Sequence, residues 1–396
     1  MADAEAWHLW LAKATAALQA AKRLRNPTAV PLRSGEEAHV EFSSNDYLGL
    51  STHPSVRAAA ADAAARHGMG PRGSPLVCGY THMHRDLELA IARLKRAEEC
   101  LLTPTGFAAN ASVLAALARQ NDVRIYSDAL NHASIVDGCR LAKCPLSVYR
   151  HNDAAHLAQL AQAADEPRHV VVTDSLFSMD GDVAPFDAIT RSLRETVGAS
   201  RSLAVVDEAH ATLCYGERGE GLAPQGFAEV SVGTLSKAAG AHGGFVTCTR
   251  DMKRYLLSTM RGLVFSTSLP VPVVAAASAA LHVATGDEGD WLRRRLHRNA
   301  ARLRSTLRLE DGTGTHIVPL HARGGTESAA LDAAAYLAQD WGINAVPIRP
   351  PTVPVGTARV RIALSAAHTD AQVARLAMAA VECPHLDLAA PPASRL

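Results

Sequence analysis

The chain of 396 residues lacks any run of about eighteen apolar residues, the length a helix needs to span a bilayer. Its longest alanine-rich stretch, 271–284, is shorter than that and reads as a buried helix. It also lacks a charge excess: 40 Lys and Arg against 39 Asp and Glu leave a formal net charge of +1. Neither nucleic acid nor a membrane surface is therefore an expected partner. Seven cysteines are present but no Cys-x-x-Cys, so free thiols acting as small buried hydrophobes in a reducing compartment are expected. The N-terminus has no basic segment followed by an apolar core, and its acidic residues are those that transit peptides avoid. There is no internal repeat, no Gly-Lys-Ser/Thr phosphate loop and no dinucleotide glycine spacing. His82 and His84 have no cysteine or carboxylate at ligand spacing, so no metal is expected.

What remains is ordinary in bulk and specific in pattern. Apolar residues make up 48% and charged residues 20%, enough for a large core and two lobes. Residues 7–25 carry Trp7, Trp10, Leu11, Ala14, Leu18 and Ala21 at helical spacing, which predicts an amphipathic entry helix. Between about 86 and 250, helices (86–95, 107–119) alternate with short apolar strands (123–126, 169–173, 203–206). That alternation predicts an α/β fold with a mostly parallel central sheet and helices on both faces. A long helical region at 271–308 leads to strands near 316–320, 345–346 and 360–364 with helices at 328–341 and 370–381, a smaller α+β C-terminal domain. The expected division is an N-terminal helix and arm (1–45), a large domain (46–285), a small domain (286–384) and a flexible tail (385–396).

The chemistry is carried by few residues. Lys237, in Val232-Gly233-Thr234-Leu235-Ser236-Lys237-Ala238-Ala239-Gly240, stands thirty positions after Val205-Val206-Asp207-Glu208-Ala209-His210. A lysine among small residues can form an imine with an aldehyde, and a carboxylate at a strand end can hold a pyridinium nitrogen protonated. Together they are what pyridoxal phosphate (PLP) most needs from a protein. The ordinary alternatives are a surface lysine in a Gly/Ser loop and an aspartate capping a helix. Thr234 and Ser236 offer hydroxyls to a phosphate, and Gly240, Gly243 and Gly244 allow backbone close to a ligand. His210 and Ser178 are candidate donors to the phenolic oxygen, with a core histidine and a turn serine as the plain readings. His132, after another strand end, can stack on the ring. The segment Thr105-Gly106-Phe107-Ala108-Ala109-Asn110 opens a helix whose free amides suit a phosphate. Arg359 and Arg361 share one face of a strand, and one of them can clamp a carboxylate.

These motifs belong to a wider pattern. Phe42-Ser43-Ser44-Asn45-Asp46-Tyr47-Leu48-Gly49-Leu50, Gly70-Pro71-Arg72-Gly73-Ser74, Cys78-Gly79-Tyr80-Thr81, Phe265-Ser266-Thr267 and the segments 127–138, 173–182, 206–210, 233–244 and 348–361 all take part. From about 40 to 383 the chain resembles the α-oxoamine synthases, PLP enzymes of the aspartate-aminotransferase-like fold (PLP fold type I). Bacterial members usually carry Gly-x-Gly-Gly-Ser where this chain has Pro71 and Arg72; the plant-type members share the Pro-Arg form. Glu208 and Ala211 stand where aspartate and glycine are commoner.

The resemblance implies that Lys237 holds PLP covalently and Asp207 binds its ring nitrogen. His210 and Ser178 would contact its phenolic oxygen, His132 would stack on the ring, and Gly106, Phe107 and Thr234 would bind the phosphate. On the substrate side it implies Asn45, His132, Arg361 for the carboxylate, Thr352 in Ile348-Arg349-Pro350-Pro351-Thr352-Val353-Pro354, and Arg25 for the acyl group. Ser266 and Thr267 match a segment that reaches the partner subunit's site, so a homodimer is expected. The implied reaction is a decarboxylating condensation of L-alanine with pimeloyl-CoA or a pimeloyl carrier protein. A glycine C-acetyltransferase (2-amino-3-oxobutyrate CoA ligase) is the alternative; a non-catalytic partner subunit is disfavoured because such subunits lack the lysine. The terminal Ser394-Arg395-Leu396 resembles a peroxisomal address, with the cytosol as the other location.

Overall fold

A computed structural model describes residues 6–21, 23–24, 39–119, 122–223, 228–309 and 314–388. Arg25 and the Ser394-Arg395-Leu396 tripeptide lie outside the described residues. The chain divides after His39 into two compact units.

In the first unit a helix runs over Trp7–Ala20, closing at Ala21 rather than continuing to residue 25. None of its residues is buried, and Trp7, Leu9, Trp10, Leu11 and Leu18 are all exposed. The expected apolar stripe is thus present in sequence and is exposed among the described residues.

The second unit opens with β1 (Val40–Glu41), followed by β2 (Glu99–Thr103), β3 (Val123–Asp128), β4 (Leu146–Tyr149), β5 (Arg168–Asp174), β6 (Ser202–Asp207), β7 (Val230–Thr234) and β8 (Gly244–Cys248). Strands β2 to β8 form one seven-stranded sheet in the order β2-β8-β7-β6-β5-β3-β4. The pairs among β3, β4, β5, β6 and β7 are parallel, and β8 runs antiparallel to both its neighbours. The run His169-Val-Val-Val-Thr173 shows why. Val170 and Val172 enter one apolar cluster with Leu114, Ile125 and Ile135, whereas Val171 enters another with Leu157, Ile189 and Leu193. A strand buried on both faces needs apolar residues at every position, and each buried valine contributes about 1.5–3 kcal/mol.

Toward the C-terminus come β9 (Ile317–Ala322), β10 (Ile343–Asn344), β11 (Val346–Ile348), β12 (Arg359–Ala363) and β13 (Leu386–Asp387). The smaller sheet has the order β11-β12-β9-β13, and β10 pairs with β1. The helical region expected over 271–308 is two helices, Val271–Thr285 and Asp287–Leu307, separated by Gly286. The helix expected at 86 begins at His82, because Thr81 and His84 form a capping box that starts it one turn earlier. One apolar cluster contains Leu102 and Phe245 from the larger sheet together with Val318, Leu320, Val360 and Ile362 from the smaller one. The two sheets therefore share a continuous core.

Candidate active site

Polar residues terminate the apolar strands at one edge of the larger sheet. Asp128 closes β3, Asp174 closes β5, Asp207 closes β6 and Thr234 closes β7. Parallel strands put all these ends on one side, where ligand sites of α/β sheets gather. Asp174 and Asp207 are direct neighbours in register. Buried Asp207 accepts from the Ala209 N–H at 2.7 Å and from Asn110 Nδ2 at 2.6 Å. The same Asn110 amide donates to Ser134 Oγ at 2.9 Å, and Ser134 Oγ lies 2.7 Å from His132 Nδ1. The His132 backbone N–H donates to Asp174 Oδ2 at 2.8 Å. His132 thus caps the helix Ala133–Ala142 and is fixed from two sides, with its ring left exposed beyond the strand ends. Burial, reinforced by Asp207, pushes the Asp174 carboxyl well above the usual carboxylate range.

Lys237 sits in the turn between β7 and β8, and its Nζ lies 2.9 Å from His210 Nε2. Burial lowers its amine to about 8, with Asp207 and Asp174 opposing and Arg361 assisting. The depression comes from the protein itself. His210 Nδ1 lies 2.6 Å from Tyr47 Oη. Tyr47 is fully buried, and its hydroxyl also meets Asn45 Oδ1 at 2.8 Å and Arg361 Nη2 at 3.2 Å. Arg361 donates through both terminal nitrogens to Asn45 Oδ1 at 3.2 Å and through Nε to the Ser178 carbonyl at 2.5 Å. Of the two arginines on β12, Arg359 is occupied by Asp180, with which it makes an ion pair. Arg361 is the one turned to the Lys237 cluster.

The helix Gly106–Leu117 begins beside these strand ends, with Thr105 as its cap accepting from the Ala108 N–H at 3.0 Å. A Cβ at Gly106 would come 3.2 Å from Thr234 Cβ, a tight contact, so glycine keeps the space between the helix start and that hydroxyl open. Phe107 is exposed and meets the His132 ring edge-on, 6.4 Å between centroids. The glycines after Lys237 do something other than admit a ligand. A Cβ on Gly244 would strike the Gly106 nitrogen at 2.4 Å, and one on Gly240 the Ser51 nitrogen at 2.2 Å. They let protein backbone approach protein backbone. The donor set fits PLP: a buried carboxylate, an amine of lowered basicity, and a helix start beside a hydroxyl for the phosphate.

Asp207 and His132 are thus linked through Asn110 and Ser134, with Gly106, Phe107 and Thr234 at the edge, and Asp207 acts on Lys237 through its charge. Lys237, His210, Asn45 and Arg361 are joined through Tyr47 in a second cluster. Ser178 joins it through its carbonyl rather than its hydroxyl. Thr352 does not join: it is exposed in the loop between β11 and β12, where its N–H donates to the Arg349 carbonyl at 3.0 Å. Four participants went unassigned in the sequence. Tyr47, Asn110 and Asp174 each stood inside a quoted motif, and Ser134 lies two residues after His132. His316 is a fifth neighbour, buried, 4.1 Å from the Tyr47 ring and 2.9 Å from Tyr215 Oη.

Residues 37–379 match the model of the class I and II aminotransferases, and the chain belongs to that family. Its curated relatives narrow the class. The chain is 45% identical over 367 residues to the 8-amino-7-oxononanoate synthase of Arabidopsis thaliana, covering 87% of this chain and 75% of that one. It is 46% identical over 367 residues to the 8-amino-7-oxononanoate synthase of Anaeromyxobacter dehalogenans, covering 90% and 89%. Among solved structures, a serine palmitoyltransferase from S. paucimobilis with PLP–myriocin bound superposes with a TM-score of 0.84 at 26% identity, covering 93% of this chain and 95% of that one.

Proposed function

We propose that this chain is a PLP-dependent acyltransferase of biotin biosynthesis. It condenses L-alanine with pimeloyl-CoA, or with pimeloyl on a carrier protein, to 8-amino-7-oxononanoate and carbon dioxide. The observation that carries the reading is the linked set Lys237, His210, Tyr47 and Arg361 with the Asp207 carboxylate acting on the same amine, together with relatives of that name over most of the chain.

Bound PLP supplies the electron sink that makes a carbon acid of the amino acid. Everything else falls to the chain. Asp207, buried and held by Asn110, would pair with the ring nitrogen and keep it charged. Arg361 and Asn45 grip the alanine carboxylate. Lys237, with its amine lowered to about 8, is partly uncharged near neutral pH and takes the α-proton as general base. The α-carbon then bonds to the thioester carbonyl carbon as the C–S bond breaks and the thiolate leaves. Loss of the carboxylate as carbon dioxide returns an electron pair to that carbon, and Lys237 gives the proton back.

A homodimer with sites at the interface is part of the same proposal. Its support is local. Phe265, 71% exposed, adjoins Ser266 and Thr267, and the Ser268 N–H donates to the Gly73 carbonyl at 3.1 Å, beside Leu76 and Val77 at 56% and 80% exposure. Ser266 and Thr267 also line a cavity of about 520 Å³ with Leu76, Tyr80, Leu101 and Leu263. Exposed apolar side chains of this size beside a cavity support reading this face as an association surface. Mass-spectrometric product analysis tests the activity: 8-amino-7-oxononanoate is expected from L-alanine and pimeloyl-CoA. Turnover of glycine with acetyl-CoA and none of alanine would move the chain to the glycine C-acetyltransferases.

A further inference from the structure

Tyr47 lies between two parts of the site that have no other bridge among the bonds described above. On one side stand Asn45 and Arg361, on the other His210 and Lys237. A phenol has one proton to donate and two lone pairs to accept with. Arg361 can only donate, so the Tyr47 oxygen accepts from it at 3.2 Å. Asn45 Oδ1 can only accept, so the hydroxyl proton points to it at 2.8 Å. The remaining lone pair faces His210 Nδ1 at 2.6 Å, which makes Nδ1 the protonated nitrogen of the imidazole. Nε2 is then a bare acceptor toward Lys237 Nζ at 2.9 Å, an arrangement that favours the charged amine.

We propose that the Tyr47 hydroxyl is a positioning group that selects the His210 tautomer according to what occupies Asn45 and Arg361, and so couples capture of a substrate carboxylate to the proton on Lys237. This rests on the amino-acid reading of the Arg361 side. Were the hydroxyl to turn from Asn45 to His210 Nδ1, the imidazole proton would move to Nε2 and point at the Lys237 nitrogen, favouring the uncharged amine that a general base requires. Groups of both signs face the pair from every side: Asp207 on β6, Asp174 on β5, Arg361 on β12, His132 at its helix start and His316 ahead of β9. Tyr47 is the one whose single proton can be handed either way.

The test uses the full chain without cofactor or substrate, so it reads the side-chain network apart from the reaction assigned above. Acetylation of Lys237 by acetic anhydride, followed peptide by peptide in a mass spectrometer across pH, gives the midpoint of the amine, near 8 in the unsubstituted protein. Tyr47→Phe is expected to lower that midpoint by about one pH unit, because the His210 Nδ1–H then loses its acceptor and the tautomer with the proton on Nε2 gains weight. Asn45→Ala is expected to lower it as well, since the hydroxyl has only His210 left to donate to. The double variant is expected to match Tyr47→Phe alone. An unchanged midpoint in Tyr47→Phe, or a double variant equal to the sum of the singles, overturns the proposal. Should Tyr47→Phe fail to fold by thermal unfolding, an unchanged midpoint in Asn45→Ala overturns it by itself.

Discussion

His210 and His151 are both set deep among polar neighbours, yet the fold leaves one uncharged and makes the other a cation. His210 is buried and faces Lys237 and Arg361, so burial and like charge together drive its basicity well below the usual range. His151 is also penalised by burial, but Asp128 Oδ1 at 2.8 Å and Asp182 Oδ2 at 2.6 Å outweigh that and raise it to about 10. Desolvation acts the same way in both places. The sign of the neighbours decides the outcome, and it also divides the labour: an uncharged imidazole can pass a proton, whereas a trapped imidazolium can only hold structure together. His151 does hold it. Asp128 also accepts from the Leu130 and Asn152 N–H groups at 2.8 Å, and Asp182 from Asn152 Nδ2 at 2.8 Å.

The strongest way to break this contrast is Lys237→Ala. It removes a cation beside His210 and the proposed base together. Turnover should fall by about 10⁴-fold or more, measured as product formed, while the His210 ring proton signals in NMR begin to titrate nearer the ordinary histidine range. A full-activity variant would end the assignment of Lys237. Arg361→Lys keeps the charge near His210 but loses the planar fork. The apparent KM for L-alanine should rise about 10²-fold with His210 still uncharged, a split that steady-state kinetics and NMR read separately.

The His151 side gives the smallest effect, and it appears in stability. Its folded value lies above the unfolded one of about 6.5. The stabilisation is thus complete below pH 6.5 and is lost as pH rises through about 10. Solvent reaches part of the group, so about 2 kcal/mol is expected after screening. Urea unfolding of His151→Gln and the unsubstituted chain should differ by that amount at pH 6 and converge near pH 10. Curves that stay parallel across the range would mean that His151 is not a cation in the folded protein.

The central strands were legible because burial on both faces forces unbroken apolar runs, and the carboxylate closing one of those runs drew attention to Asp207. Strands β7 and β8 were not. Gly233 interrupts β7 for a reason found across the sheet, since a Cβ there would meet the Phe245 ring at 2.2 Å. The helix Pro54–His67, rich in alanine, gave too little apolar contrast for a helical face to show. In the site, residue types at strand ends could be read, but partners could not. Tyr47 and His210 are 163 positions apart, and Asn110 and Asp207 are 97 apart. No spacing rule reaches such pairs; only the sheet order brings them together. Thr352, expected at the substrate from its motif, is exposed in the loop between β11 and β12 and makes no bond to the other site residues among those described.

The core that runs without a break from the larger sheet into the smaller one limits how the molecule can be divided. Cleaving the chain at Gly286 would strip Leu296, Leu303, Val318 and Ile362 of their covering and leave Leu102 and Phe245 wet on the other half. Neither piece would stay dispersed in water, so grafting the C-terminal portion of a relative onto this chain requires transplanting its facing apolar residues as well.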